Sequence, residues 1–157
     1  MYLHISMRNN RQAPKKTLVA DAQLVAEHCA GLNIRLAARR ISRFLEAKLA
    51  PTGLSLAQFG LLIQVASARD DTIGALAERS GLDQSTLSRN LRPLEAVGLI
   101  EIAAVEADLR RRAVWLTEQG STRLENAMPI WREAHDALSQ VISPEQLRHL
   151  AAKTSCL

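Results

Sequence analysis

The chain has 157 residues, 47% of them apolar and only 3% aromatic, with a formal charge of +4. That length allows one domain with a sizeable core, or two small lobes, and the apolar share excludes a disordered chain. So few aromatics disfavour a β-sandwich and leave Leu and Ala to fill packed helices, while a sequence pI near 9.6 suits a polyanionic partner.

Residues 1–20 read as a flexible basic arm, because "RNNRQAPKK" carries Arg8, Arg11, Lys15 and Lys16 with no acid. From about Asp21 to Leu49 the period is helical, with Ile34, Ala38, Ile41, Leu45 and Leu49 as an apolar stripe. At ~1.5 Å per residue that helix would run roughly 40 Å, more than a small domain covers, so part of the stripe is expected to meet another chain. "APTGLS" ends it. Ser55 then caps a helix whose Leu56, Phe59, Ile63 and Ala66 are spaced for one buried face.

After the polar "SARDDT", Ile73, Leu76 and Ala77 mark a short helix that stops at "SGLD". Gly81 suits a left-handed stop and Asp83 the cap of the next helix, a helix-turn-helix pattern. In that next helix, Leu87, Leu91, Leu94 and Val97 form the apolar face, and Pro93 is expected to bend it near its end. Two short strands follow, 99–105 and 112–117, with "EADLRR" as the loop between them. A second long helix spans roughly 118–142 and includes Pro129, and Ser143 with Pro144 opens a last one. A helix-turn-helix followed by a hairpin is a winged helix. The fold class is mainly α with a small β-hairpin wing, its winged helix-turn-helix lobe at 51–117 and a helical dimerisation region at 21–50 and 118–157.

A helix that enters the DNA major groove brings its first turns close to the base edges. Short hydroxyl side chains permit that approach, and arginines a turn later reach guanine or phosphate. Ser85, Thr86, Ser88 and Arg89 are the candidate contacts, with Gln84 and Arg92 next. In the hairpin, Arg110, Arg111 and Arg112 are candidates for the narrow, electronegative minor groove. Asp108 would hold the Arg110 guanidinium by a charge-assisted bond. Between residues 83 and 112 five arginines are matched by five acids, so binding depends on where the arginines point rather than on total charge. A bland reading stands beside this one: short hydroxyls often only cap helices, and surface arginines are usually solvated.

"GLSLAQFGLL", "GALAERSGLDQSTLSRNLRPLEAVGLI" and "DLRRRAVWLTEQG" resemble the MarR family of bacterial transcription regulators, over residues 21 to 153. The wing pattern of Asp108, Arg110, Leu116, Thr117 and Gly120 after "LEAVGLI" is the most specific part. The resemblance implies a homodimer whose first, fifth and sixth helices intertwine. It also implies a palindromic duplex operator, usually repressed, and release by a small molecule or oxidant. It matches Ser85, Thr86, Ser88 and Arg89 to recognition-helix contacts, Arg110 to the wing arginine, and Asp108 to its orienting acid.

Some relatives sense peroxide through a cysteine near the position of Cys29, but they hydrogen-bond it with tyrosines, and the one tyrosine here is Tyr2. A redox regulator acting through Cys29, with His28 and Arg35 lowering its pKa, is therefore an alternative. The leading effector is a small anionic or aromatic ligand met by His28, Arg35, Arg39 or Arg40. Only Glu27, His28 and Cys29 cluster as metal donors, and adjacent residues point to different sides of a helix, so no metal is expected. Cys29 and Cys156 lack the spacing of a zinc site or disulfide framework. No apolar run reaches the ~18 residues of a membrane helix, and the N-terminal stretch lacks a signal peptide's apolar centre. A cytoplasmic protein with no membrane contact is expected. Without a Gly-rich phosphate loop, nucleophile motif or metal spacing, neither an enzyme nor a cofactor is expected. The competing class is a winged helix that binds another protein, for which the hydroxyl-and-arginine face would be unnecessary.

Overall fold

A computed structural model describes residues 16–68, 72–105 and 108–156; the side chains of residues 105 and 108–111 also lie outside the described set. The chain divides into two units, Met1–Ile41 and Ser42–Leu157.

In the first unit, α1 spans Lys16–His28 and α2 begins at Ala30, running on to Leu49 in the second unit. The last five residues of the expected arm are thus helical, and the rest of the arm, residues 1–15, lies outside the described residues. The expected single helix over 21–49 is interrupted at Cys29. Near the break, the Asn33 side-chain amide donates to the Glu27 carbonyl at 2.9 Å, the acceptor that the Gly31 N–H would take in an unbroken helix. None of the described residues of this unit is buried: Leu24 is 60% exposed, Val25 54% and Leu32 49%.

In the second unit, α3 (Leu56–Ala66) starts from a complete capping box. Ser55 Oγ accepts from the Gln58 N–H, and the Gln58 side chain accepts from the Ser55 N–H. Helix α4 (Ile73–Ser80) is capped by Thr72 and ends at Gly81, whose φ of +63° is the left-handed stop a glycine provides without a steric cost. Helix α5 (Gln84–Ala96) follows, with Asp83 accepting from the Thr86 N–H. It runs through Pro93 without interruption.

Strands β1 (Ile100–Val105) and β2 (Asp108–Leu116) pair antiparallel. The expected 106–111 loop is mostly strand. Ala104 faces Arg112 and Val105 faces Asp108, so Leu109, Arg110 and Arg111 are taken up as a bulge on β2. Only Glu106 and Ala107 remain as the connection, and they lie outside the described residues. Thr72, just before α4, adds an isolated antiparallel bridge to Ala113 and ties the helix-turn-helix to the hairpin. Helices α6 (Glu118–Ser139) and α7 (Pro144–Lys153) complete the unit, α6 ending three residues before the expected 142.

One core joins Leu49, Phe59, Leu62, Leu76, Leu87, Leu91, Leu94, Leu99, Val114 and Leu124. Two expected apolar faces are corrected by it. In α3 the buried residues are Phe59, Leu61, Leu62 and Val65, whereas Ala66 is exposed, because α3 meets α4, α6 and β2 and turns its inner face toward Leu62. In α5 the helix ends before Val97, which is 58% exposed. Leu99 is buried in its place, reached by a turn in which Gly98 has a φ of +72° and the Leu99 N–H bonds the Leu94 carbonyl at 2.9 Å.

Candidate nucleic-acid interface

Helix α5 has two opposed faces. At ~100° per residue, Leu87, Leu91 and Leu94 share one side, and all three are completely buried. The opposite side carries Ser85, Arg89 and Arg92, all exposed. The three leucines anchor the helix in the core and fix which face meets solvent. Gln84 is exposed at the first turn, and Ser88 is half-buried at the edge of the face.

The hydroxyls at the helix start are not free. Asp83 Oδ1 accepts from Ser85 Oγ at 2.5 Å and from the Thr86 N–H at 2.8 Å, while Oδ2 accepts from Thr86 Oγ1 at 2.7 Å. Bonding from the Ser85 hydroxyl, then from the Thr86 hydroxyl and N–H, with a smaller contribution from Arg89, holds the Asp83 carboxyl well below the usual carboxylate range. Arg89 Nη2 in turn donates to Thr86 Oγ1 at 3.2 Å. Asp83, Thr86 and Arg89 therefore form a chain of hydrogen bonds along the first turns. Arg92 makes no ion pair or hydrogen bond among the described residues. Asn90 is exposed beside Arg89; a search of the sequence for hydroxyls and guanidiniums alone passes over it.

In the hairpin, Arg112 is exposed on β2. The backbones of Asp108, Arg110 and Arg111 belong to the same strand; their side chains lie outside the described residues. Thr117 locks the base of the hairpin to the end of α5: its hydroxyl donates to the Gly98 carbonyl at 2.6 Å and accepts from the Gly120 N–H at 3.0 Å.

The remaining candidates stand in the first unit, at the α1–α2 break and along the first half of α2. His28 Nδ1 lies 3.1 Å from the Leu24 carbonyl; Cys29 is half-buried, and Arg35, Arg39 and Arg40 are exposed. No three His, Cys, Asp or Glu side chains converge as metal donors among the described residues.

A helix-turn-helix completed by a two-stranded hairpin, with the second helix presenting a polar face away from a leucine anchor, defines a winged helix-turn-helix protein. Comparison with known proteins carries this further. A model of the MarR family matches residues 52–111. The M. tuberculosis transcriptional regulator MosR, solved in complex with DNA, is 31% identical with a TM-score of 0.72, over 82% of this chain and 98% of that one. A MarR variant from E. coli complexed with operator DNA is 25% identical with a TM-score of 0.74, over 84% and 98% of the two chains. An uncharacterized HTH-type transcriptional regulator from Bacillus anthracis is 37% identical over 76 residues, 48% of this chain and 50% of its own length. The chain thus spans about half the length of the curated relatives it matches. It belongs to the MarR family of transcriptional regulators. No single helix among the described residues is long and apolar enough to cross a membrane.

Proposed function

We propose that the protein is a homodimeric repressor that binds a palindromic operator in duplex DNA and is released by a small anionic or aromatic effector. The observation that carries this reading is the exposed Ser85–Arg89–Arg92 face of α5, opposite three fully buried leucines. It has the short-then-long gradation of side chains that a major groove admits. Ser85, Thr86, Ser88 and Arg89 are assigned to the groove, Gln84 and Arg92 to its edges, and Arg110, Arg111 and Arg112 to the wing, with Asp108 orienting Arg110. The DNA-bound states of MosR and of the E. coli MarR variant support duplex DNA as the partner class.

The homodimer is supported by the apolar surface of α1 and α2, where Leu18, Leu24, Val25, Leu32 and Ile34 stand in solvent. Single exposed apolar residues are normal, but five along two helices are more than a chain left alone in water needs to show, and pairing of protomers would cover them. In this reading residues 21–50 and 118–157 pair the protomers, and 51–117 form the DNA-binding lobe. His28, Arg35, Arg39 and Arg40 are the cationic groups assigned to the effector, and Cys29 the residue of the redox alternative.

Footprinting on the DNA upstream of the gene, with and without benzoate or peroxide, tests operator, symmetry and inducer together. Two protected half-sites about one helical turn apart are the expected result. Absence of salt-sensitive binding to any duplex would overturn it and favour a protein-binding winged helix.

A further inference from the structure

Asp83 stands at the head of the α5 face without belonging to the contacts assigned to that face, yet it decides what two of them can do. Its carboxyl accepts from Ser85 Oγ, from the Thr86 N–H and from Thr86 Oγ1. An ionised carboxylate can only accept. The hydrogens of both hydroxyls therefore point at Asp83, and toward any other partner each hydroxyl offers lone pairs alone. The same bonds favour the charged carboxyl, so this direction does not reverse near neutral pH.

The two hydroxyls then differ in what remains to them. Thr86 Oγ1 accepts from Arg89 Nη2, which ties the guanidinium to the helix and leaves its other N–H groups to donate outward. Ser85 Oγ is exposed and accepts from no other group among the described residues. Ser85 and Arg89 are four residues apart, one above the other on the same side of the helix. An acceptor and a donor thus stand together on the face opposite Leu87, Leu91 and Leu94.

In the major groove, guanine shows two acceptors, thymine an acceptor and a methyl group, cytosine an amine, and adenine an amine beside an acceptor. A serine free to turn its hydrogen bonds donors and acceptors alike. A serine whose hydrogen is already taken is attracted by an amine and repelled by the oxygen of guanine or thymine. We infer that Asp83 is a positioning residue for base selection: it fixes Ser85 as an acceptor, so that α5 selects an adenine or cytosine amine near the guanine bonded by Arg89. The inference rests on the proposed entry of α5 into the major groove, and one arm of its test needs no DNA.

The test is selection of duplexes from a random library by the full chain, compared with Ser85→Ala and Asp83→Gly. Glycine is an acceptable residue at a helix start, so the second variant frees both hydroxyls while the helix keeps its place. Wild type should favour adenine or cytosine at one position of each half-site by about fivefold over guanine and thymine, the worth of one hydrogen bond. Ser85→Ala should lose the preference at that position, and Asp83→Gly should admit guanine and thymine there. Replacing the selected base by its analogue without the amine, purine for adenine or 2-pyrimidinone for cytosine, should weaken wild type about fivefold and leave Ser85→Ala unaffected. If Asp83→Gly fails to fold, this replacement decides. Without DNA, carbon-13 NMR should show the Asp83 carboxyl titrating well below an ordinary aspartate. An ordinary titration, an Asp83→Gly selection identical to wild type, or equal losses from the replacement in wild type and Ser85→Ala would each overturn the inference while leaving α5 as the DNA reader. Recovery of no duplex by wild type would overturn it together with the proposed function.

Discussion

The carbonyl oxygen of Leu99 occupies the space in which a side chain on Gly120 would begin. Leu99 leads from the end of α5 into β1, and Gly120 lies in the first turn of α6, so this approach brings the two ends of the hairpin together. The Thr117 hydroxyl, shared between the Gly98 carbonyl and the Gly120 N–H, seals the same junction.

Gly120→Ala is therefore expected to destabilise the fold by about 1–3 kcal/mol or more, since backbone cannot yield as a side chain would. Gly60→Ala is the control. A Cβ there meets nothing within 4 Å, so in mid-helix it should stabilise by about 0.5–1 kcal/mol. Urea midpoints moving in opposite directions, with unchanged slopes, are the expected outcome.

The two apolar residues at the end of α5 should behave unequally. Leu94 is completely buried and Val97 is 58% exposed. Leu94→Ala should cost about 2–5 kcal/mol, whereas Val97→Ser should fall within about ±0.5 kcal/mol. Equal losses in chemical denaturation would mean that Val97 belongs to the core.

Asp83 gives the start of α5 a pH dependence. Because its folded pKa is depressed, its contribution is complete above the unfolded value near ~4 and is lost as pH falls toward the folded value. Asp83→Asn keeps a capping side chain without the titrating carboxyl. The loss of stability between about pH 7 and about pH 3 should be smaller in this variant than in wild type. Identical pH profiles in urea denaturation would show that the carboxylate does not secure the helix start.

Arg92 has no intramolecular partner among the described residues, so Arg92→Ala should leave the thermal midpoint unchanged. If it meets a phosphate, duplex affinity should fall, and the slope of log affinity against log salt should flatten by about one unit. Arg89→Ala should weaken binding by more than about tenfold and relax the preference between operator sequences. Gel-shift titrations at several salt concentrations separate these outcomes.

Should α1 and α2 pair protomers, Leu24→Glu combined with Leu32→Glu would place charges in that surface. Sedimentation should then shift from dimer to monomer. A monomeric wild-type chain would remove the basis for two half-sites.

Much of the winged-helix part could be read without coordinates. Leu87, Leu91 and Leu94 appeared as a stripe because helical period is written in spacing. Gly81 and Asp83 appeared as stop and cap because a left-handed turn and an open helix start select those residue types locally. The hydroxyl-and-arginine face of α5 then follows as the side the leucines leave. Thr117, read from the sequence as the last residue of the second strand, lies just past β2 and caps α6 by accepting from the Gly120 N–H.

Tertiary structure decided what depends on residues distant in the chain. Which face of α3 turns inward was set by α4, α6 and β2 together, and spacing within α3 offered more than one apolar stripe. The exchange of Val97 for Leu99 needed the Gly98 turn, and the bulge at Leu109–Arg111 needed the register against Ala104 and Val105. Period, cap and turn act over four or five neighbouring residues, so one sequence suffices to display them. Register and close backbone approach, such as Leu99 against Gly120, are relations between segments, and they exist only once the chain has packed.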